Sequence, residues 1–329
     1  MVHSTIHDLG LEVVRLTTIR NTNRPHLALS FDDHVFAVDT TRTFGNDPIQ
    51  PDAYLITHAH SDHHGRSAMM STKSICSKET ARALEIRFGR KYKGRTFCTG
   101  DTIEINGVEV ATHPTHHTIG SCAFSWENDN GTRILVTGDM KDDSDLPECD
   151  FLVTEANYGD PSDISCYFED DIAGLEQVIG DNVAFGAYAF GKAQRAVSIA
   201  RNAGWHDEIS MDSMGYNLTK SLMTDCGPLN EILEYNGGHE GMVIVAPWDL
   251  GKLPGSMKKY VLTGRRDYYY PAIHISDHMD VTGLVHMVLT LQPEATLIYH
   301  PDGHRPQRLA AHLNKIGYPS AALSEIQSN

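Results

Sequence analysis

Hydrophobic and polar positions alternate or cluster in short runs through the first third of the chain. Leu11 to Thr17, His26 to Phe31 and Val35 to Val38 predict three strands of a β-meander. The apolar run Ala53 to Thr57 predicts another buried strand and stops at His58, so the polar segment that follows is a loop leaving a sheet. Helical spacing covers Lys78 to Phe88. Strands are predicted at Thr102 to Ile105, Val108 to Thr112, Cys122 to Glu127 and Thr132 to Val136, with hairpin signals at Asn106-Gly107 and Asn130-Gly131. A further strand, Phe151 to Thr154, runs into Glu155.

Beyond Pro161 the pattern changes to helix (Glu169 to Ile179), strand (Val183 to Tyr188) and helix (Lys192 to Asn202), which predicts a small α/β unit with parallel strands. Another strand is expected at Met242 to Ala246. The chain then closes with a helix at Gly283 to Leu291, a strand at Thr296 to Tyr299 and a helix at Gln307 to Ile316. This order predicts an α/β protein in which residues 161–260 are inserted between 1–160 and 261–329.

Composition narrows the class. With 40% hydrophobic and 21% charged residues over 329 positions, the chain is expected to fold as a globular protein. No basic, apolar leader opens it and no stretch approaches the roughly 18 apolar residues of a membrane span, so a cytoplasmic protein with no membrane partner is expected. Six scattered cysteines without a CxxC pair suit a reducing compartment and supply no cysteine metal site. The net charge of −16 argues against a protein that coats nucleic acid. A local basic groove remains compatible with it, since Lys258, Lys259, Arg265 and Arg266 cluster, and Lys192 and Arg195 lie on one predicted helix.

The chemistry concentrates in HAHSDHHG. His58 and His60 are spaced to turn toward one ion while Asp62 and His63 face a second, and neutral imidazoles with carboxylates suit zinc, or manganese where oxygen ligands increase. A lone histidine is usually a surface or core residue, but four ligand-type residues in six positions are a different matter. Asp139, ending a strand in TGD, is placed to bridge the two ions. His117 would complete the first ion, with His113 and His116 as rivals, and His300 would complete the second. Asp39 either orients the histidine loop by hydrogen bonding or is an ordinary strand-end turn residue.

In this order, Asp39, the His58 to His63 loop, His117 in HTIGS and Asp139 in TGD resemble the motifs of the metallo-β-lactamase superfamily. Glu155 in TEANYG, the segment FGKAQRA from Phe190, His278 in SDHMD and His300 in YHPDGHR resemble its β-CASP branch of nucleases. The likeness implies an αββα sandwich carrying a small inserted α/β cap, with the region between Glu155 and His278 as that cap. YHPDGHR departs from the simpler valine-histidine-glycine common there and leaves His304 as a competitor to His300.

The resemblance implies a nuclease requiring two divalent cations, in which a hydroxide bridging the metals attacks a phosphodiester. His278 would act as general acid and Glu155 would orient it, with Asp62 beside them in the catalytic set. Histidine at the position of His300 implies RNA rather than DNA as partner. Lys192, Arg195, Ser276, Lys258, Lys259, Arg265 and Arg266 are candidate nucleic-acid contacts. A second copy of the chain or a processing-complex partner fits the family. Rival expectations are a DNA exonuclease of repair, a thioesterase or lactonase sharing the metal loop, and an inactive binding subunit.

Overall fold

The structure is a computed structural model that describes residues 2–15, 27–40, 50–64, 66–223, 232–237, 241–264, 268–301 and 303–326. It divides into two compact units, one formed by Met1–Tyr167 with His278–Asn329 and the other by Phe168–Asp277.

In the first unit, strands β1 (Leu11–Arg15), β2 (Leu27–Phe31), β3 (His34–Val38), β4 (Ala53–Leu55), β5 (Ser74–Ser77) and β6 (Arg95–Phe97) form one sheet in sequence order. The first three strands are the expected antiparallel meander, and β3 to β6 run parallel. The second sheet has the order β19-β18-β11-β10-β9-β8-β7. It begins with β7 (Thr102–Ile105), β8 (Val108–Pro114), β9 (Cys122–Glu127), β10 (Arg133–Val136) and β11 (Phe151–Glu155). The strands β18 (Ala295–His300) and β19 (Ser320–Ala322) return from the far end of the chain and add in parallel beside β11.

One apolar core joins the two sheets. Leu27, Leu29, Phe36 and Leu55 come from the first, and Phe124, Ile134, Val136, Phe151, Val153 and Leu297 from the second. Residues of one parity face that core, as strand geometry dictates. Leu135, Leu152 and Ile298, of the opposite parity, are also fully buried, so the outer face is covered as well. Helix α8 (His304–Lys315) packs on β18 and β19, and α3 (Lys78–Phe88) on β5 and β6. The order is helix, sheet, sheet, helix. Shorter helices α1 (Val2–Asp8) and α2 (Arg66–Met69), and α7 (Val281–Leu291), complete the unit.

The second unit is a parallel sheet of order β14-β13-β15-β12-β16-β17. Its strands are β12 (Val183–Gly186), β13 (Ile209–Met211), β14 (Ile232–Glu234), β15 (Met242–Val245), β16 (Lys258–Leu262) and β17 (Ala272–Ile273), with helices α4 (Ile172–Val178), α5 (Lys192–Asn202) and α6 (Ser213–Leu222). The unit extends to Asp277 rather than stopping near residue 260, because β16 pairs with β12 and β17 in turn with β16, so both belong to its sheet. Its first and last segments are bonded together. Asp171 N donates to His274 O at 2.8 Å and Ser276 N to Asp170 Oδ1 at 2.8 Å.

That closure corrects three expected nucleic-acid contacts. Lys192 is buried and its Nζ lies 3.1 Å from Asp277 Oδ2, Arg195 is tied to Asp170 at 2.6 Å and to the carbonyl of Ser276, and Ser276 is itself fully buried. The basic face of α5 is a structural staple, since burial of a lysine requires a counter-charge. Lys259 donates to Leu253 O at 2.8 Å, whereas Lys258 is exposed. Arg265 and Arg266 lie outside the described residues. Among the described residues, no helix is long and apolar enough to cross a membrane.

Candidate metal centre

The parallel strands deliver the chemistry at their carboxyl ends, the usual place for a site on such sheets. Asp39 follows β3, the His58 to His63 loop follows β4, and Asp139 follows β10. Glu155 and His300 are the last residues of the paired strands β11 and β18. The register shifts between Thr154 and Glu155, a local irregularity that re-aims the carboxylate. His117 comes from the β8–β9 connection and His278 stands just ahead of α7. Gly138 has φ +67°, and a Cβ there would lie 2.6 Å from Thr57 Cβ, so only glycine lets the Asp139 turn lie against the strand leading to His58.

Three groups of ligand-type atoms result, each lying within 4.8 Å of one another: His58, His60, His117 and Asp139; Asp62, His63 and His300; Asp139, Glu155 and His278. Asp139 joins them. Its Oδ2 lies 3.3 Å from His63 Nε2, 3.9 Å from His58 Nε2, 3.8 Å from His117 Nε2 and 3.8 Å from His278 Nδ1. Asp62 Oδ2 is 3.5 Å from His300 Nε2. The rivals fall elsewhere: His113 contacts Ser125, exposed His116 pairs with Asp145, and exposed His304 lies 3.5 Å from Asp160.

Ring orientation follows from hydrogen bonds on the opposite nitrogens. His63 Nδ1 lies 2.8 Å from Asp39 Oδ2, and Asp39 also accepts from Thr57 N at 2.9 Å and Thr57 Oγ1 at 2.8 Å. With its proton on Asp39, Thr57 Oγ1 accepts from His58 Nδ1 at 3.0 Å. Both rings therefore carry hydrogen on Nδ1 and turn Nε2 toward Asp139. Outer-shell partners of metal-bound histidines characteristically set the tautomer in this way. Glu155 is fixed by Met140 N, Asn157 N and Asn157 Nδ2, and His278 Nδ1 lies 3.0 Å from its Oε1.

A cation fits this donor set. His58 Nε2, His63 Nε2, Asp139 Oδ1 and His300 Nδ1 are buried without a hydrogen-bond partner among the described residues, a costly arrangement unless something positive coordinates them. Burial, then the neighbouring His63, His117 and His60, hold His58 well below the ordinary imidazole range, which keeps it neutral as a ligand must be. Burial alone would lower His63, but Asp139 and Asp39 outweigh it and push the group well above its usual value. Asp139 and Asp62 are held well below the carboxylate range. Burial would raise both, but His63 and His300 outweigh it at Asp139, and the His300 hydrogen bond and His63 do so at Asp62.

A cation binding through His63 must displace the proton that Asp139 and Asp39 keep there. Its affinity should therefore rise with pH, by up to about tenfold per unit, until His63 deprotonates unaided. Calorimetry near neutral pH in buffers of different ionisation heat should register about one proton released. None released would remove His63 from the ligand set.

No family model matches the chain. It is 31% identical over 91 residues to a UPF0173 metal-dependent hydrolase of Methanosphaerula palustris, covering 28% of this chain and 38% of that protein. It is 27% identical over 184 residues to an RNase J-like protein of Methanocaldococcus jannaschii, covering 46% and 44%. A probable DNA ligase of Opitutus terrae is 23% identical over 275 residues, covering 75% of this chain and 26% of that protein. The matches thus span less than half of each of these relatives' lengths. Among solved structures, a protein of unknown function from Enterococcus faecalis shares the fold, with a TM-score of 0.66 at 12% identity over 97% of this chain and 98% of that one. One relative is named a metal-dependent hydrolase, and the clustered histidines and aspartates of this chain fit metal binding.

Sequence reading missed Tyr299. Its hydroxyl donates to Asp39 Oδ2 at 2.7 Å, and burial, with Asp39 and Asp139 nearby, pushes it well above the ordinary phenol range, so it stays protonated as a donor. Nothing in an apolar strand pattern distinguishes such a tyrosine from a core residue.

Proposed function

We propose that this chain is a two-cation nuclease of the metallo-β-lactamase superfamily, β-CASP branch, that hydrolyses phosphodiester bonds of RNA. The observation that carries the reading is the sharing of Asp139 Oδ2, which stands within 4 Å of His58 and His117 in one group, of His63 in the other, and of His278, itself paired with Glu155. A thioesterase or lactonase has no need of that second pair, and a silent subunit has no need of the ligands.

His58, His60 and His117 would hold one cation and Asp62, His63 and His300 the other, with Asp139 between them. Zinc suits the imidazoles, and manganese suits the oxygen-richer group. Such cations supply electrophilic activation of the phosphodiester and of the attacking water. In hydrolysis water adds to phosphorus, the bond to the departing oxygen breaks, and that oxygen takes a proton. His278 supplies it. Glu155 fixes Nδ1, so Nε2 is the nitrogen that hands the proton over.

A DNA exonuclease is the second reading, favoured by the relative named as a probable DNA ligase, which matches the largest share of this chain among these relatives. End-labelled RNA and DNA of matched sequence, incubated with zinc- or manganese-loaded protein, separate the two. The RNA ladder should appear faster. A faster DNA ladder would transfer the assignment to the second reading, and cleavage of neither would end both.

A further inference from the structure

Alternation along β18 sends Tyr299 into the apolar core between the sheets and the next residue, His300, toward the ligand cluster. A phenol 3% exposed in such a core needs a partner for its hydroxyl, and the partner here is Asp39. The same carboxylate holds His63 Nδ1 and both donors of Thr57, while Thr57 Oγ1 in turn holds His58 Nδ1. Tyr299 Oη also lies 3.4 Å from His63 Nδ1. One buried aspartate therefore links three segments that are remote in sequence, and the two hydroxyls reach different rings.

We propose that the hydroxyls of Tyr299 and Thr57 are positioning groups, Tyr299 acting through Asp39 and Thr57 directly on His58 while Asp39 accepts its proton. Tyr299 sets the Asp62, His63 and His300 position, by fixing the carboxylate that orients His63 and by tying down the strand that ends in His300. Thr57 sets the other position by fixing the tautomer and angle of His58. The inference rests on the two-cation reading above. Neither hydroxyl belongs to a group of ligand-type atoms itself. Both substitutions that test them preserve shape: Tyr299→Phe keeps the ring in the core, and Thr57→Val replaces the hydroxyl by a methyl.

The experiment is stepwise titration of the full chain with cobalt(II), followed by visible absorption, with His60→Ala and His300→Ala as references that each delete one position. Tyr299→Phe should weaken the constant missing from His300→Ala by about 10- to 100-fold, the range for outer partners of metal ligands, and leave the other within about twofold. Thr57→Val should do the reverse. A purely structural role would lower the melting temperature and leave both constants alone. Two unchanged constants in folded Tyr299→Phe would overturn the assignment of Tyr299, and the same result in Thr57→Val would overturn that of Thr57. Should Tyr299→Phe fail to fold, Tyr299→Leu is read against the same two constants. Wild-type protein that takes up no cobalt would instead bring down the two-cation reading beneath.

Discussion

His278→Ala should retain its full complement of metal and lose roughly 10² to 10⁴ in turnover, the contribution general acid catalysis usually makes. His300→Ala should lose activity for another reason, through release of the cation it is proposed to share with Asp62 and His63. Metal analysis of the two variants distinguishes them directly. So does the leaving group: a phosphodiester ending in nitrophenol needs little protonation as it departs, and should partly restore His278→Ala while leaving His300→Ala slow. The geometry makes this a demanding test, because Asp139, Glu155 and His278 also stand close enough to hold an ion. Equal metal loss in the two variants would make His278 a ligand and remove it as the acid.

Asp139→Asn should have the widest effect of any single substitution. The side chain keeps its size, but four imidazoles within 4 Å lose their common counter-charge. Both cations should be weakened. Loss of a Lewis acid worth several kcal/mol corresponds to a rate decrease of roughly 10² to 10³. Mass spectrometry under native conditions, with turnover measured on the same sample, reads both. Full occupancy with full activity would place the bridging carboxylate elsewhere. Loss of one cation alone would make Asp139 a terminal ligand.

The clustering of the candidate residues was legible because those of the His58 to His63 loop are neighbours in sequence and because Asp139 and His300 come at the ends of apolar strands. Such strand ends survive small errors in element boundaries. The meander, the two hairpins and the parallel second unit were legible from periodicity over four or more positions. Apart from β4, strands of three residues were not. β6 and β14 offer too few positions for a period, and Ser74 to Ser77 reads as polar although all four residues are buried.

Lys192 and Arg195 misled for a different reason. On a helix they look like a solvated basic face, and the acids that neutralise them, Asp277 and Asp170, lie 85 and 25 positions away. Tyr299 and Asp39 are separated by 260. Pairings over such distances depend on tertiary packing and leave no local pattern.

The bonded ends of the second unit carry a consequence for how such a chain can change over time. The backbone leaves the first unit after Tyr167 and returns at His278, and just inside those crossings Ser276 N is bonded to Asp170 Oδ1, so the stretch enters and leaves its own fold at neighbouring points. Every proposed cation ligand lies outside that stretch. An insertion whose two ends meet can lengthen, shrink or be replaced while every proposed ligand, carried by the other unit, stays in place.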